Sequence, residues 1–282
     1  MKTSYLLRFW LITMLATGAF LPQSVAQKAL PARENGLQMA AAGTSEKPMN
    51  TVVTVVTGSS SSSSIAPRTA GSALQPEQAK AIEEIATYLP TQCKGIIRNL
   101  YVRYDHPEQR GLGGKTTVII SGNLPLTEFR AVLVHEVLGH AMDLGCLTGT
   151  QSSGPTPYKD GGDQMYRDDP SINFYRLSWA TSKTRLPESQ DGDFVSSYAR
   201  TDAFEDLAET VTFYMFQREE FRRIAKHNAL LAAKLRWIET VAYPSAQNYA
   251  LGTYQWNSTD IPWDTTMLQY VWLGPAVASV QD

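Results

Sequence analysis

Behind Pro76, the residues Ala79, Ile82, Ile85, Ala86 and Leu89 recur every three or four positions. This spacing predicts an amphipathic helix over Pro76–Leu89 with the proline at its start. Ile96 to Tyr104 alternates apolar and polar side chains, and Thr116 to Ser121 is rich in β-branched residues. Both read as strands, separated by a flexible Gly111-Leu112-Gly113-Gly114 stretch. From Leu126 to Leu144 the pattern is mostly apolar, with its densest part at Phe129 to Leu138, which predicts a buried helix capped by Gly145. A polar insertion over 148–193 holds Pro155, Pro157, Gly161 and Gly162, with a short helix at Ser171–Trp179. It is either a lid or specificity loop, or surface decoration. Helices are predicted again over Ala203–Arg223 and Asn228–Ala242, the second with Asn228 as N-cap. The Trp- and Tyr-rich tail beyond Pro244 is expected to pack back on the domain. Strands followed by helices, without regular alternation, make the class α+β, with a small antiparallel or mixed sheet.

The first third of the chain has a different texture. Lys2 and Arg8, the apolar Phe9 to Leu21 and the small-residue Ser24-Val25-Ala26 form the pattern of a signal peptide over 1–26. An uncleaved anchor is the alternative, but the apolar stretch is short for a span, so no membrane span is expected in the mature chain. Residues 27–73 read as a low-complexity spacer because Gly58 and Ser59 to Ser64 cannot bury enough apolar surface to offset chain entropy. The β-prone Thr51 to Thr57 patch inside it could instead add a strand to a partner. The folded, catalytic domain is then 74–282. A net charge of −2 leaves no electrostatic footprint for nucleic acid. The two cysteines, Cys93 and Cys146, are either a disulfide, as an exported protein allows, or two buried thiols. No base adjoins either one, so neither is a nucleophile. Asn257-Ser258-Thr259 is a glycosylation sequon, meaningful only in a eukaryotic secretory pathway.

The chemistry concentrates in His135-Glu136-Val137-Leu138-Gly139-His140, which holds two of only 4 histidines in the chain. Imidazoles four apart would share one face of an α-helix; five apart, they diverge by roughly 140°. The motif is therefore a metal helix with one inserted residue, taken up as a π-bulge at Gly139, or no metal helix. A partner motif lies downstream. Glu205 and Glu209 are four apart, stacked on one helix face. His135, His140 and Glu205 make a His₂Glu set of the kind that binds catalytic Zn²⁺ with one position left for water. Glu136 is the candidate general base, Glu209 the carboxylate that orients a liganding imidazole, and Tyr198 the phenol that donates to an oxyanion. Asp143 either holds a histidine or caps a turn.

At these residues the chain resembles the gluzincin metallopeptidases. The His135–His140 element is similar to the H-E-L-L-G-H element of the dipeptidyl peptidase III family, and Phe204-Glu205-Asp206-Leu207-Ala208-Glu209 is similar to that family's E-E-C-R-A-E. Ser197 through Glu209 resembles the S-Y-G-R-T-N-x-x-E-F-F-A-E segment of the anthrax lethal factor protease domain around Tyr198, Arg200, Thr201, Glu205, Ala208 and Glu209. That domain has the shorter H-E-x-x-H, from which this chain departs. The likeness covers roughly Leu100 to Tyr243 and implies a zincin-like metallopeptidase domain. It also implies Glu205 as third zinc ligand, and an edge strand, assigned to Thr116–Gly122, that receives the substrate backbone.

The expectation is thus a secreted or cell-envelope zinc peptidase acting on peptide or protein substrates. A non-catalytic zinc-binding envelope or adhesion domain is the alternative, and a structural envelope protein without metal a further one. Glu136 argues for the enzyme, since a purely structural metal site has no use for a base. His106 and His227 are expected at the surface, and Arg218 to Arg223 is a mixed-charge helix face that needs no ligand.

Overall fold

The computed structural model describes residues 52–56, 74–105, 108–244, 251–253 and 260–274. The signal segment 1–26, most of the spacer, His106 and the sequon at 257–259 lie outside the described residues.

Strand β1 (Val52–Val56), helix α1 (Pro76–Ala86), strands β2 (Asn99–Arg103), β3 (Gly111–Gly113) and β4 (Thr117–Ser121) open the domain. Their order in the sheet is β1-β2-β4-β3. The β1–β2 and β2–β4 pairs are parallel, while β3 runs antiparallel to β4, so the sheet is mixed. Two expectations change here. Val52–Val56 lies within the expected spacer, yet it pairs with β2 of this same chain. Thr117–Ser121 was assigned the substrate edge, but it has a partner strand on each side. The edge on its side of the sheet is Gly111–Gly113, which reads as a flexible loop when only its composition is considered.

Helix α2 (Leu126–Leu133) continues without a break into a π-helix over Val134–Cys146. Irregularity was expected as a single bulge; it extends over 13 residues. Isolated π-helices this long are rare. This one is buried from Val134 to Leu144 and packed along the later helix Ala203–Phe216, so tertiary contacts rather than local propensity hold its geometry. Gly145 is not its cap. A Cβ there would collide with the Lys115 carbonyl, so glycine lets the β3–β4 turn lie against the helix. At the helix end, Cys146 is disulfide-bonded to Cys93.

The 148–193 insertion is folded rather than loose. The hairpin β5 (Pro155–Asp160) and β6 (Asp163–Tyr166) and helix α3 (Ser171–Tyr175) place Tyr158, Ile172, Phe174, Tyr175 and Trp179 in the core. Helix α4 (Ala203–Phe216) ends at Gln217, and α5 (Arg218–Ala225) starts afresh. The single helix expected over 203–223 is thus two. Along α5, Arg222 and Arg223 pair with Glu219 and Glu220. Asn228 caps α6 (Ala229–Trp237) by accepting from Leu230 and Leu231 N–H. A short π turn, Ile238–Ala242, follows. The tail packs back as expected: β7 (Gly252–Thr253) pairs with β8 (Val271–Trp272), and Tyr270 lies against Phe216. Among the described residues, no helix is long and apolar enough to cross a membrane.

Candidate metal centre

A π-helix bonds each N–H to the carbonyl five residues back, as Leu147 N–H does to Met142. Residues five apart therefore stack on one face, which is what the His135/His140 spacing needs. Their rings meet edge to face with centroids 4.9 Å apart. Gly139 serves this arrangement differently from expectation. A Cβ on it would lie 2.7 Å from both Cα and Cβ of Ala208, so glycine permits α4 to come within reach.

That approach delivers Glu205. Its Oε2 lies 3.2 Å from Nε2 of His135 and 3.3 Å from Nε2 of His140. Asp202 caps α4 by accepting from the N–H groups of Phe204 and Glu205, which places Glu205 in the first helical turn. One residue on, about 100° around the helix, Asp206 is fully buried, 2.8 Å from the ammonium of Lys234, and accepts from Trp179 Nε1. This anchor fixes the rotation of α4 about its axis, and with it the direction of Glu205.

Glu209, one turn later and fully buried, has Oε1 3.1 Å from His135 Nδ1, in an arrangement not aligned as a linear hydrogen bond. Ser196 Oγ and Thr265 N–H donate to its Oε2, and Thr265 Oγ1 to its Oε1. Neither Ser196 nor Thr265 carries a signal in the sequence; Thr265 is 56 positions away.

Glu136 sits beside the imidazoles, and one donor atom from each of His135, Glu136 and His140 falls within 4.8 Å of the others. It is nonetheless Glu205, not Glu136, whose oxygen touches both Nε2 atoms. The Glu136 carboxylate instead faces β3: a Cβ on Gly113 would lie 2.7 Å from its Oε2, and one on Gly111 would collide with its Oε1. Oε2 of Glu136 is buried and without a hydrogen-bond partner. Tyr198 donates to Glu205 Oε1 at 3.2 Å.

Asp143 accepts from Tyr175 OH at 2.5 Å, and its other oxygen has no partner. It neither caps a turn nor bonds a histidine; it ties α3 to the middle of the π-helix.

Burial disfavours the imidazolium of His135, but the Glu205 and Glu209 carboxylates outweigh it and raise its pKa well above the usual value. His140 is raised in the same sense, chiefly by Glu205 against burial. Glu205, though buried, is held well below the usual carboxylate range by His140 and His135. Glu136 is pushed up by burial, against the pull of both histidines. Burial and then the Glu205 charge raise Tyr198, keeping its phenol protonated. The centre is thus an anionic carboxylate facing two imidazoles, a donor set that could hold a metal ion. Comparisons with protein-family models, with curated proteins and with solved structures find no match for the chain.

Proposed function

We propose that this chain is a zinc-dependent peptidase of the gluzincin type, built on a zincin-like domain. The reading rests on the convergence of His135 Nε2, His140 Nε2 and Glu205 Oε2. Two donors each about 2.1 Å from one tetrahedral ion are about 3.4 Å apart, and the two His–Glu205 separations are 3.2 and 3.3 Å. Both His–Glu205 separations therefore match what two ligands of one zinc ion would show.

When bound, zinc supplies Lewis acidity toward a carbonyl oxygen and lowers the pKa of water at the centre. The chain's own residues supply the rest. Glu136 is buried, unpartnered at Oε2 and raised in pKa, so it takes up the proton released as water attacks and passes it to the leaving amine. Tyr198 keeps its proton and donates it in a hydrogen bond to the oxyanion. Glu209, held by Ser196 and Thr265, keeps the Nδ1 proton of His135 in place so that Nε2 remains the free donor.

The substrate path follows β3. Arg110 C=O accepts from Ser121, and Gly114 N–H donates to Thr117. By the two-residue period of a strand, Leu112 bonds toward β4, and the N–H and C=O of Gly111 and Gly113 point away from it. A peptide backbone can pair with Gly111 and the Gly113 C=O, directly beside Glu136, whose carboxylate engages the Gly113 backbone N–H. The disulfide and the signal-like N-terminus fit a secreted or cell-envelope protein.

The test is metal analysis together with cleavage of a mixed peptide pool by wild type and Glu136→Gln. Cleavage by wild type, lost in Glu136→Gln with zinc retained, supports the enzyme. Retained zinc with no cleavage by wild type favours a non-catalytic zinc-binding domain, and absence of zinc removes both.

A further inference from the structure

The large apolar side chains most exposed among the described residues are not scattered. Ile261, Trp263, Met267, Val271 and Leu273 belong to the C-terminal segment, and Leu112 belongs to the edge strand β3. Trp263 is 69% exposed, an unusual position for the residue with most to gain from burial.

The segment that carries Trp263 is tied to the centre at several points. Ser197 N–H donates to Pro262 C=O and Tyr198 N–H to Trp263 C=O, each at 2.7 Å. Thr265 holds Glu209. Asp264 and Thr266 accept from the guanidinium of Arg110, the residue that leads into β3. Residues 262–266 therefore bridge the Tyr198 loop and the start of the edge strand. The indole is rooted one backbone hydrogen bond from Tyr198, and Trp263 lies beyond the stretch that resembles the gluzincins.

We infer that Trp263 is a specificity-determining residue, forming an apolar subsite for a large, preferably aromatic, side chain of the peptide next to the scissile bond. The inference rests on the peptidase reading. A flat, rigid indole presents a large apolar area at low entropic cost. The backbone bonds at Pro262 and Trp263 fix its root against Tyr198, so a side chain seated on it sets the distance between the scissile carbonyl and the catalytic groups. Asp264, clamped by Arg110, keeps the segment from sliding along β3.

The experiment uses the full chain loaded with zinc and two blocked hexapeptides that differ only in Phe or Ala beside the cleaved bond. The kcat/KM ratio, Phe over Ala, is expected to fall about tenfold or more in Trp263→Ala and to recover in Trp263→Phe. An unchanged ratio overturns the inference, whether both values stay or fall together, and leaves the peptidase reading intact. Binding of the same peptides to zinc-loaded Glu136→Gln, with and without Trp263→Ala, separates the two claims. If wild type cleaves neither peptide, a preference for the Phe peptide that Trp263→Ala abolishes upholds the subsite and rejects only catalysis. If Trp263→Ala changes self-association or binding to phosphatidylglycerol vesicles while peptide preference persists, the side chain serves another surface and the inference is overturned.

Discussion

Glu209 Oε1 stands 3.1 Å from Nδ1 of His135, on the ring nitrogen opposite the one that meets Glu205. The carboxylate is fully buried, and its hydrogen bonds to Ser196 and Thr265 hold it in place. A carboxylate behind a liganding imidazole fixes its tautomer and raises its basicity, and losing one commonly weakens metal binding 10–100-fold. Glu209→Ala is expected to weaken zinc binding by about that factor in a chelator competition, with His135 and Glu205 intact. Wild-type affinity in a folded Glu209→Ala protein would remove Glu209 from the centre.

Tyr198 makes its contact with the centre through its hydroxyl, at Glu205 Oε1. Tyr198→Phe keeps the ring and removes the donor. Loss of one oxyanion donor costs about 10²–10³ in kcat, so kcat should drop by that order while zinc content and KM change little. Full turnover in Tyr198→Phe would exclude the phenol from the reaction.

Gly139 and Ala208 set how close α4 comes to the π-helix. In Gly139→Ala the new Cβ meets Ala208 at 2.7 Å, so the two helices must separate. Overpacking of this kind costs about 1–3 kcal/mol, which urea unfolding would detect. Because Glu205 rides on α4, zinc affinity should fall as well. A variant with unaltered stability and affinity would contradict the close packing described.

Asp143 is buried beside Ser171 and Tyr175, with Asp169 and His140 nearby, and burial pushes its pKa from 3.8 up to about 7. A carboxyl raised on folding binds its proton more tightly in the native state, so its contribution to stability declines as pH rises from about 4 to about 7 and is lost above that. The full difference corresponds to about 4 kcal/mol at most. Zinc-free Asp143→Asn keeps an acceptor for Tyr175 and cannot ionise, so its stability should vary less over this range and exceed wild type at pH 8. Parallel stability–pH curves for the two proteins would disprove the assignment.

The residues that gather at the candidate centre were readable in one dimension. Five-residue spacing of His135 and His140 required a departure from the α-helix, and four-residue spacing of Glu205 and Glu209 placed both carboxylates on one face, because helical geometry depends only on neighbours along the chain. Asn228 as a cap and Pro76 as a helix start follow from the same local rules. What the linear chain could not reveal depends on pairing between distant segments. Gly111–Gly113 looks like a loop because strand identity there comes from β4 and from a helix that leaves no room for a Cβ. Thr117–Ser121 has the composition of a strand, but only the sheet order makes it interior. The break at Gln217 likewise separates two segments that periodicity alone joins.

Sequence alone singled out His135, His140, Glu205 and Glu209 as candidates and showed that the two histidines share a face only on an irregular helix, since covalent spacing is a local property. Tertiary structure decided how far the π-helix runs, how near Glu205 comes, that Ser196 and Thr265 brace Glu209, and that Trp263 is rooted beside Tyr198. Those outcomes arise from burial and close packing between segments far apart in the chain, where a missing Cβ or a single hydrogen bond determines which surfaces can meet.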